Sequence, residues 1–267
     1  MVALLHPLVR LAQILHFNVL SRWMRQNKSR SITISNQPSM ILSPHQDDET
    51  LGCGGLIALK RQRGIQVAVV FLTDGGGIPN CRKQAELRCQ EAIDALTLLG
   101  VSRLDIHFLN YPDGRLQELS QSEQHILVNQ LSALFEQYQA QEVYIPHFND
   151  GHLDHEATFQ VGQAAIAKTS HAIELIQYPI WLFWKRPILL KLKQQDLKGA
   201  FQLDISSVKA KKHRAIQIYQ SQLPILPFGF LNPYLSSTEL FFAQSRHDAK
   251  LADQTLKPII FDCHECK

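Results

Sequence analysis

The sequence has few cysteines and no block of charge of one sign. Its five cysteines are odd in number and scattered, which is not typical of a secreted disulfide framework, so we expect a reducing, cytoplasmic environment. The formal net charge is +3 and the basic clusters are short, so no nucleic-acid partner is expected. Internal repeats and low-complexity tracts are missing as well. Together these features indicate an ordinary globular protein of 267 residues.

The N-terminal 34 residues lack the uninterrupted apolar run of a membrane-spanning helix. His6, Pro7 and Arg10 interrupt them, and no small-residue cleavage site typical of a signal peptide follows. The segment nevertheless predicts an amphipathic helix, which packs on the core in the arrangement we favour or contacts a membrane surface in the alternative. Its apolar residues recur at helical spacing: Leu4, Leu8, Leu11, Leu15 and Val19. We assign residues 1–34 to this helix, 35–250 to one domain and 251–267 to a tail.

Apolar segments alternate with amphipathic ones through the middle of the chain. The alternation predicts an α/β fold with a Rossmann-like, doubly wound and mostly parallel sheet. Beyond residue 173 the pattern weakens, and we expect a C-terminal cap that includes a helix over 207–222. Strands are predicted over 39–42, within 65–77, and over 104–110 and 142–148; helices are predicted over 82–100, 123–139 and 155–169.

Two polar clusters follow predicted strands. The sequence PHQDDE (44–49) follows the first strand, and HFNDGHLDHEA (147–157) follows the fourth. In open α/β sheets, ligands bind beyond the carboxyl ends of the strands. If these two strands are neighbours in the sheet, the two clusters face one another.

The first cluster has the residue types of a zinc site. His45 and Asp48 are three residues apart, so one turn can direct both at one ion. Asp47 would then point past the metal, where it could take a proton from bound water. The alternative is a loop in which Asp47 or Asp48 caps the helix that Glu49 opens.

The second cluster would complete such a site. His152 or His155 would supply the third ligand, and the other histidine would meet charge that develops on a substrate oxygen. Asp154 could hold that histidine in the required orientation. Either cluster alone is more often a solvated surface, but two clusters at strand ends favour a metal site.

The paired motifs resemble those of the LmbE/PIG-L family of zinc-dependent N-acetylglucosaminyl deacetylases. The family carries a PHPDDE-type motif and a later HxDH motif, which here read PHQDDE and HLDH. Gln46 replaces the family proline and removes no ligand. Similarity extends over most of residues 39–245, through GCGG (52–55), RCQE (88–91) and YPDGRL (111–116).

The resemblance implies a role for each residue of the two motifs. It implies that His45, Asp48 and His155 bind Zn²⁺, with another divalent metal such as Fe²⁺ as the alternative. It also implies that Asp47 is the general base.

The same resemblance extends to the remaining polar residues. His152 would stabilise the oxyanion or act as the acid, and Asp154 would orient it. Arg88 and Asp113 match positions that contact the sugar. From the residues alone, Arg88 could equally pair with Glu91 on its own helix, and PDG (112–114) could be a plain turn.

The function implied is removal of an N-acetyl group from an N-acetylglucosamine-containing sugar or glycoconjugate by zinc-activated water. The alternatives are an amidase for another acyl amide or thiol conjugate, and a catalytically silent sugar-binding module. A dinucleotide-binding protein is disfavoured, because GCGG lacks the GxGxxG spacing directly after the first strand. The CHEC sequence (263–266) is interpreted as a free reduced tail. The aglycone and the oligomeric state are left open.

Overall fold

The fold was taken from a computed structural model that describes residues 2–185, 197 and 199–243. Eight strands form one sheet in the order β1-β7-β8-β6-β5-β2-β3-β4. The strands are β1 Arg30–Ile32, β2 Ser39–Ser43, β3 Val67–Thr73, β4 Ile106–Tyr111, β5 Glu142–Pro146, β6 Glu174–Tyr178, β7 Ala200–Asp204 and β8 Thr238–Ala243. The helices are α1 Val2–Asn27, α2 Asp48–Gln62, α3 Arg82–Leu99, α4 Gln121–Gln137, α5 Leu153–Ile166, α6 Leu182–Lys185 and α7 Lys209–Ile216.

The sheet is mostly parallel and covered on both faces, as the alternating pattern predicts. Ile41 of β2 packs in the apolar core on the α2 and α3 side, with Leu96 among its members. Its neighbours Met40 and Leu42 point the other way, into a second core that contains Phe135 of α4. Successive side chains of a strand alternate between faces, so a strand apolar at both is buried between two helical layers.

The C-terminal part contributes more to the sheet than a cap would. Strand β8 pairs antiparallel with both β6 and β7, and β7 carries β1 at the sheet edge. Glu239 of β8 accepts the backbone N–H groups of Gly55 and Leu56 in α2 at 2.6 and 2.8 Å. It also pairs with Lys212 of α7 at 2.7 Å, so this region holds α2 in place.

Helix α1 packs on the core, but not through the predicted stripe. Phe17, Leu20 and Met24 are buried, whereas Leu15 and Val19 are 57% and 64% exposed. Packing is therefore confirmed, and the predicted face is wrong at Leu15 and Val19, the two residues of the stripe whose side chains the structure describes. Among the described residues, no helix has both the length and the apolar composition that crossing a membrane requires.

Candidate active site

The two polar clusters meet at one edge of the sheet. Strands β2 and β5 are parallel neighbours, with Met40 opposite Val143, so both clusters leave from adjacent carboxyl ends. Helix α2 begins at Asp48 and α5 at Leu153, each inside its cluster, so the first turns of two helices hold several of these side chains. The condition set by the sequence analysis, that these strands be neighbours, is confirmed.

Three buried side chains converge at the centre of the site. One carboxylate oxygen of Asp48 lies 3.1 Å from Nδ1 of His45 and 3.2 Å from Nε2 of His155. One ligand atom from each of the three residues lies within 4.8 Å of the others. A second group of this kind combines His45 with His152 and Asp154. Two imidazoles and a carboxylate are a donor set that suits zinc, so the residues fit a metal of this type.

These groups strongly perturb one another's protonation. Burial raises the pKa of Asp48, but the charge and hydrogen bond of His155, together with His45, hold it below its usual range. Burial lowers the pKa of His155, but Asp48 and Asp150 outweigh burial and raise it to about 9. Hydrogen bonds to three carboxylates likewise raise the pKa of His45. A cation at this position would compete with these protons for the same nitrogen atoms.

Asp47 has an unusual backbone conformation and a separate environment. Its φ angle is 148°, outside the regions that a side chain normally permits, and its side chain makes no capping hydrogen bond to α2. Backbone strain of this kind clusters at functional sites. Burial, and then the charge of Asp48, raise the pKa of Asp47 to about 7, whereas Arg88 at 3.5 Å opposes the rise. The alternative that Asp47 simply caps α2 therefore lacks the hydrogen bond that it requires.

Gln46, where the family has proline, is completely buried and has a structural contact. Its side-chain amide donates to the backbone carbonyl of Thr73 at 2.8 Å, and its backbone carbonyl accepts from Arg88 at 3.1 Å. The loop after β2 is thus tied to the end of β3 and to α3. A hydrogen bond replaces the stiffness that proline would give.

Arg88 and Asp113 reach the same pocket from α3 and from the turn after β4. Asp113 lies 3.2 Å from Nε2 of His45 and 3.8 Å from Arg88. Burial raises the pKa of Asp113, but His45 and Arg88 outweigh it and lower the pKa to about 2. Arg88 is buried and contacts Asp47, and not Glu91 as in the alternative of a pair within its own helix. Glu91 instead accepts from Ser221.

Asp154 contacts a residue that the sequence analysis did not pair with it. Its carboxylate lies 3.1 Å from Nε2 of His45. It also accepts the backbone N–H groups of Gly114 and Leu116 at 2.7 and 3.0 Å, and so connects α5 to the turn after β4. His152 lies beside His45, with ring centroids 4.9 Å apart. All eight predicted residues therefore belong to one site.

Asp150 is a site residue that sequence reasoning missed. Its carboxylate lies 2.8 Å from Nδ1 of His155 and is completely buried. It also accepts the backbone N–H groups of Ile180, Trp181 and Leu182 at 2.8–3.0 Å. The available signal was its position five residues before His155, in a loop that follows a strand. A carboxylate of this kind fixes the tautomer and orientation of a ligating histidine.

Comparison with known proteins identifies the fold and shows which family the middle of the chain resembles. Residues 40–166 match the PIG-L family, described as GlcNAc-PI de-N-acetylase. An uncharacterized deacetylase of Escherichia coli, YaiS, is 29% identical over 58% of this chain and 82% of its own length. The diacetylchitobiose deacetylase of Thermococcus kodakarensis is 23% identical over 77% of each chain. The N,N'-diacetylchitobiose deacetylase structure from Pyrococcus horikoshii superposes with a TM-score of 0.59, at 22% identity, over 78% of this chain and 84% of that one.

The matched region contains strands β2 to β5 and both polar clusters, which is the part of the chain that builds the site. The predicted resemblance and the mostly parallel α/β fold are both confirmed. Over residues 40–166 the chain is similar to the PIG-L (LmbE-like) family of deacetylases, and its fold is that of the deacetylase structures it superposes on.

Proposed function

We propose that the protein removes the N-acetyl group from an N-acetylglucosamine-containing substrate, with a zinc ion held by His45, Asp48 and His155. The observation that carries the proposal is the convergence of these three buried ligand atoms within 4.8 Å, directly beside Asp47. A different divalent metal, such as Fe²⁺, is compatible with the same ligands. The similarity to diacetylchitobiose deacetylases supports an acetylated sugar as the substrate.

A zinc ion bound there would polarise the acetyl carbonyl and lower the pKa of a water molecule. The carboxylate of Asp47 then accepts the proton that the attacking water loses. A carboxylate held next to the proposed ligand Asp48 by Arg88 is well placed for this task. Arg88 holds the carboxylate of Asp47 toward the pocket.

His152 is the proposed partner of the carbonyl oxygen or of the leaving nitrogen. As water adds to the carbonyl carbon, negative charge develops on the oxygen, and an imidazole N–H can stabilise it. The C–N bond then breaks, a proton passes to the amine, and acetate and the amino sugar leave. Asp154 holds His45, and we assign to it the orientation of His152 as well. Arg88 and Asp113 are the proposed contacts to the sugar hydroxyl groups.

The five cysteines support a reducing, cytoplasmic location, because Cys53, Cys81 and Cys89 are unpaired in the structure. Cys263 and Cys266 lie outside the described residues. Contact with a membrane surface stays a secondary proposal that depends on α1.

The experiment is acetate release from a panel of N-acetylglucosaminyl compounds, with propionyl and longer acyl analogues included. Zinc-loaded wild type is compared with Asp47→Asn, whose zinc content is measured in the same preparation. Loss of the base should lower kcat by about 10²–10⁴-fold and leave zinc content unchanged.

Each alternative has its own outcome. Preference for a longer acyl group would favour the amidase. Binding of the sugars without turnover, in protein that holds zinc, would favour the silent binding module and reject the deacetylase.

A further inference from the structure

The catalytic pocket has a charged half and an apolar half. Its volume is about 310 Å³, and its charged and imidazole lining residues, which we call the charged half, are His45, Asp47, Asp48, Arg88, Asp113 and His152. Its apolar lining residues, which we call the apolar wall, include Ile180, Ile225, Leu226 and Phe230. An acetamido sugar is polar over most of its surface, so the charged half suits the sugar and leaves the apolar wall without an assigned function.

A second cavity adjoins this apolar wall. It has a volume of about 460 Å³ and shares Ile225 and Leu226 with the catalytic pocket. The rest of its lining is apolar except for Gln13: Ile14, Trp184, Pro227 and Phe228. Gln13 donates its amide to the backbone carbonyl of Trp184 at 3.1 Å. Apolar side chains beside a small number of polar groups are typical of cavities that bind small ligands.

The segment that separates the two cavities exposes large apolar side chains. Ile225 is 71% exposed and Phe228 is 88% exposed. A nearby aromatic cluster fixes this segment, since Phe230 stacks on Phe17 of α1 at 5.7 Å and lies 4.3 Å from Trp181. The apolar surface is therefore presented by a packed wall, and it lies within the reach of a group attached to a sugar in the catalytic pocket.

We propose that the substrate carries an apolar aglycone, an alkyl or aryl group, that lies over Ile225 and Leu226 and enters the second cavity. The inference rests on the proposed deacetylase function, because it takes the sugar to be in the charged half. Both α1 and the 225–230 segment lie outside the family match over 40–166. The compartment is therefore built from parts of the chain beyond the matched family domain.

The test compares methyl, hexyl and octyl N-acetylglucosaminides below the concentrations at which they form micelles. Acetate release gives kcat/KM, and tryptophan fluorescence gives binding without turnover, because Trp181 and Trp184 line the two cavities. Each buried methylene group contributes about 0.8 kcal/mol, which is roughly a fourfold increase in kcat/KM. If about three methylene groups of the octyl chain are buried, its kcat/KM should exceed that of the methyl compound roughly sixtyfold.

The variant is Ile225→Ser/Phe228→Ser, and the matched control is Leu104→Ser. Leu104 is 84% exposed and lies just before β4, the strand at one edge of the sheet, and it lines neither cavity. The double variant should lower the octyl-to-methyl ratio at least tenfold, whereas the control should keep the wild-type ratio.

Failure of the inference and failure of the proposed function give different results. Turnover that does not depend on chain length, or a ratio that the double variant leaves unchanged, overturns the apolar subsite and keeps the deacetylase. Chain-length-dependent binding without turnover keeps the subsite and overturns the deacetylase. Sedimentation of the protein with lipid vesicles is measured as well. If the double variant lowers the fraction that sediments and leaves the octyl-to-methyl ratio unchanged, the surface faces a membrane and the subsite is overturned.

Discussion

At the scale of single residues, Arg88 connects the proposed base to the rest of the site. Its guanidinium contacts Asp47 at 3.5 Å and the carbonyl of Gln46 at 3.1 Å, so it holds a loop with a strained backbone. A displacement of a reacting group by about 1 Å can cost about 10²-fold in rate.

We expect Arg88→Met to lower kcat/KM for an N-acetylglucosaminide by about 10²-fold and to leave zinc content unchanged. Acetate release and metal analysis on the same preparation check this. The control is Arg82→Met, because Arg82 starts the same helix, is exposed and pairs with Glu86, its one ion-pair partner among the described residues. Equal activity of the two variants would contradict a positioning function for Arg88.

Asp150 provides the second prediction at this scale. The Asp150→Asn substitution removes the charge beside Nδ1 of His155 but keeps an oxygen that can accept backbone N–H groups. Loss of a carboxylate that supports a ligating histidine typically lowers metal affinity by about 10–100-fold. Titration of zinc against a competing chelator measures the effect. The control is Asp94→Asn, at an exposed position on α3, which should bind zinc as tightly as the wild type does. If Asp150→Asn also binds zinc as tightly as the wild type, Asp150 does not support His155 as a ligand.

The difference between predicted and observed contacts at this scale has a physical cause. The ligand candidates could be found because His and Asp at short spacing are chemically distinctive. The position of Asp150 near His155 was visible in the sequence, but its role was not. Its partners at 180–182 follow strand β6, and only the pairing of β6 with β5 brings them to the site. The contact of Asp154 with His45 also spans more than a hundred residues of sequence.

At the scale of elements, α2 depends on close approach of its backbone to neighbours. A Cβ atom at Gly55 would lie 2.5–2.8 Å from three atoms of Ile205, whereas one at Gly54 would lie no closer than 3.2 Å to Lys212. Alanine favours a helix over glycine by about 1 kcal/mol, but overpacking costs about 1–3 kcal/mol.

Gly55→Ala should therefore lower the free energy of unfolding by about 1–2 kcal/mol. The adjacent Gly54→Ala should leave it unchanged or raise it by up to about 1 kcal/mol. Denaturant unfolding of both variants measures the difference. Equal stability would show that the backbone of α2 is not packed against Ile205 as the structure has it.

Element boundaries were predicted well where periodicity was strong and poorly where pairing decides. Helix α3 ends at Leu99, with Gly100 in a left-handed conformation at φ 101°, as the sequence predicts. Strands β7 and β8 were missed, because they lie where the alternating pattern weakens and pair antiparallel with each other across more than thirty residues of sequence. The predicted helix over 207–222 is shorter, Lys209–Ile216, because the segment turns to bring Tyr219 against Glu49.

At the scale of the whole molecule, one feature of the topology assembles the site. The order β5-β2-β3-β4 places the ends of four strands side by side, so residues from 45 to 155 converge. The sequence predicted the fold class, and the eight candidate residues that it suggested lie close together, but strand adjacency could only be stated as a condition. The apolar compartment could not be predicted, since it requires α1 to pack beside the 225–230 segment.

The metal site and the stability of the whole chain should be coupled. Zinc would bind ligands from α2, α5 and the loop after β2, which exist as a site only in the folded protein. A ligand at about 100 times its Kd stabilises the native state by about 2.7 kcal/mol. For a chain of this size that free energy corresponds to a rise in Tm of roughly 5–10 °C.

We therefore expect zinc to raise the Tm of chelator-treated protein by this amount, and Asp48→Asn to abolish the rise. Magnesium is the negative control, because it prefers oxygen ligands to imidazole. Both proteins should carry Cys263→Ser and Cys266→Ser, since that cysteine pair could bind zinc independently. The Tm is measured by differential scanning calorimetry at a fixed scan rate. If Asp48→Asn shows the full shift in that background, zinc binds elsewhere in the protein, and the assignment of His45, Asp48 and His155 as its ligands is wrong.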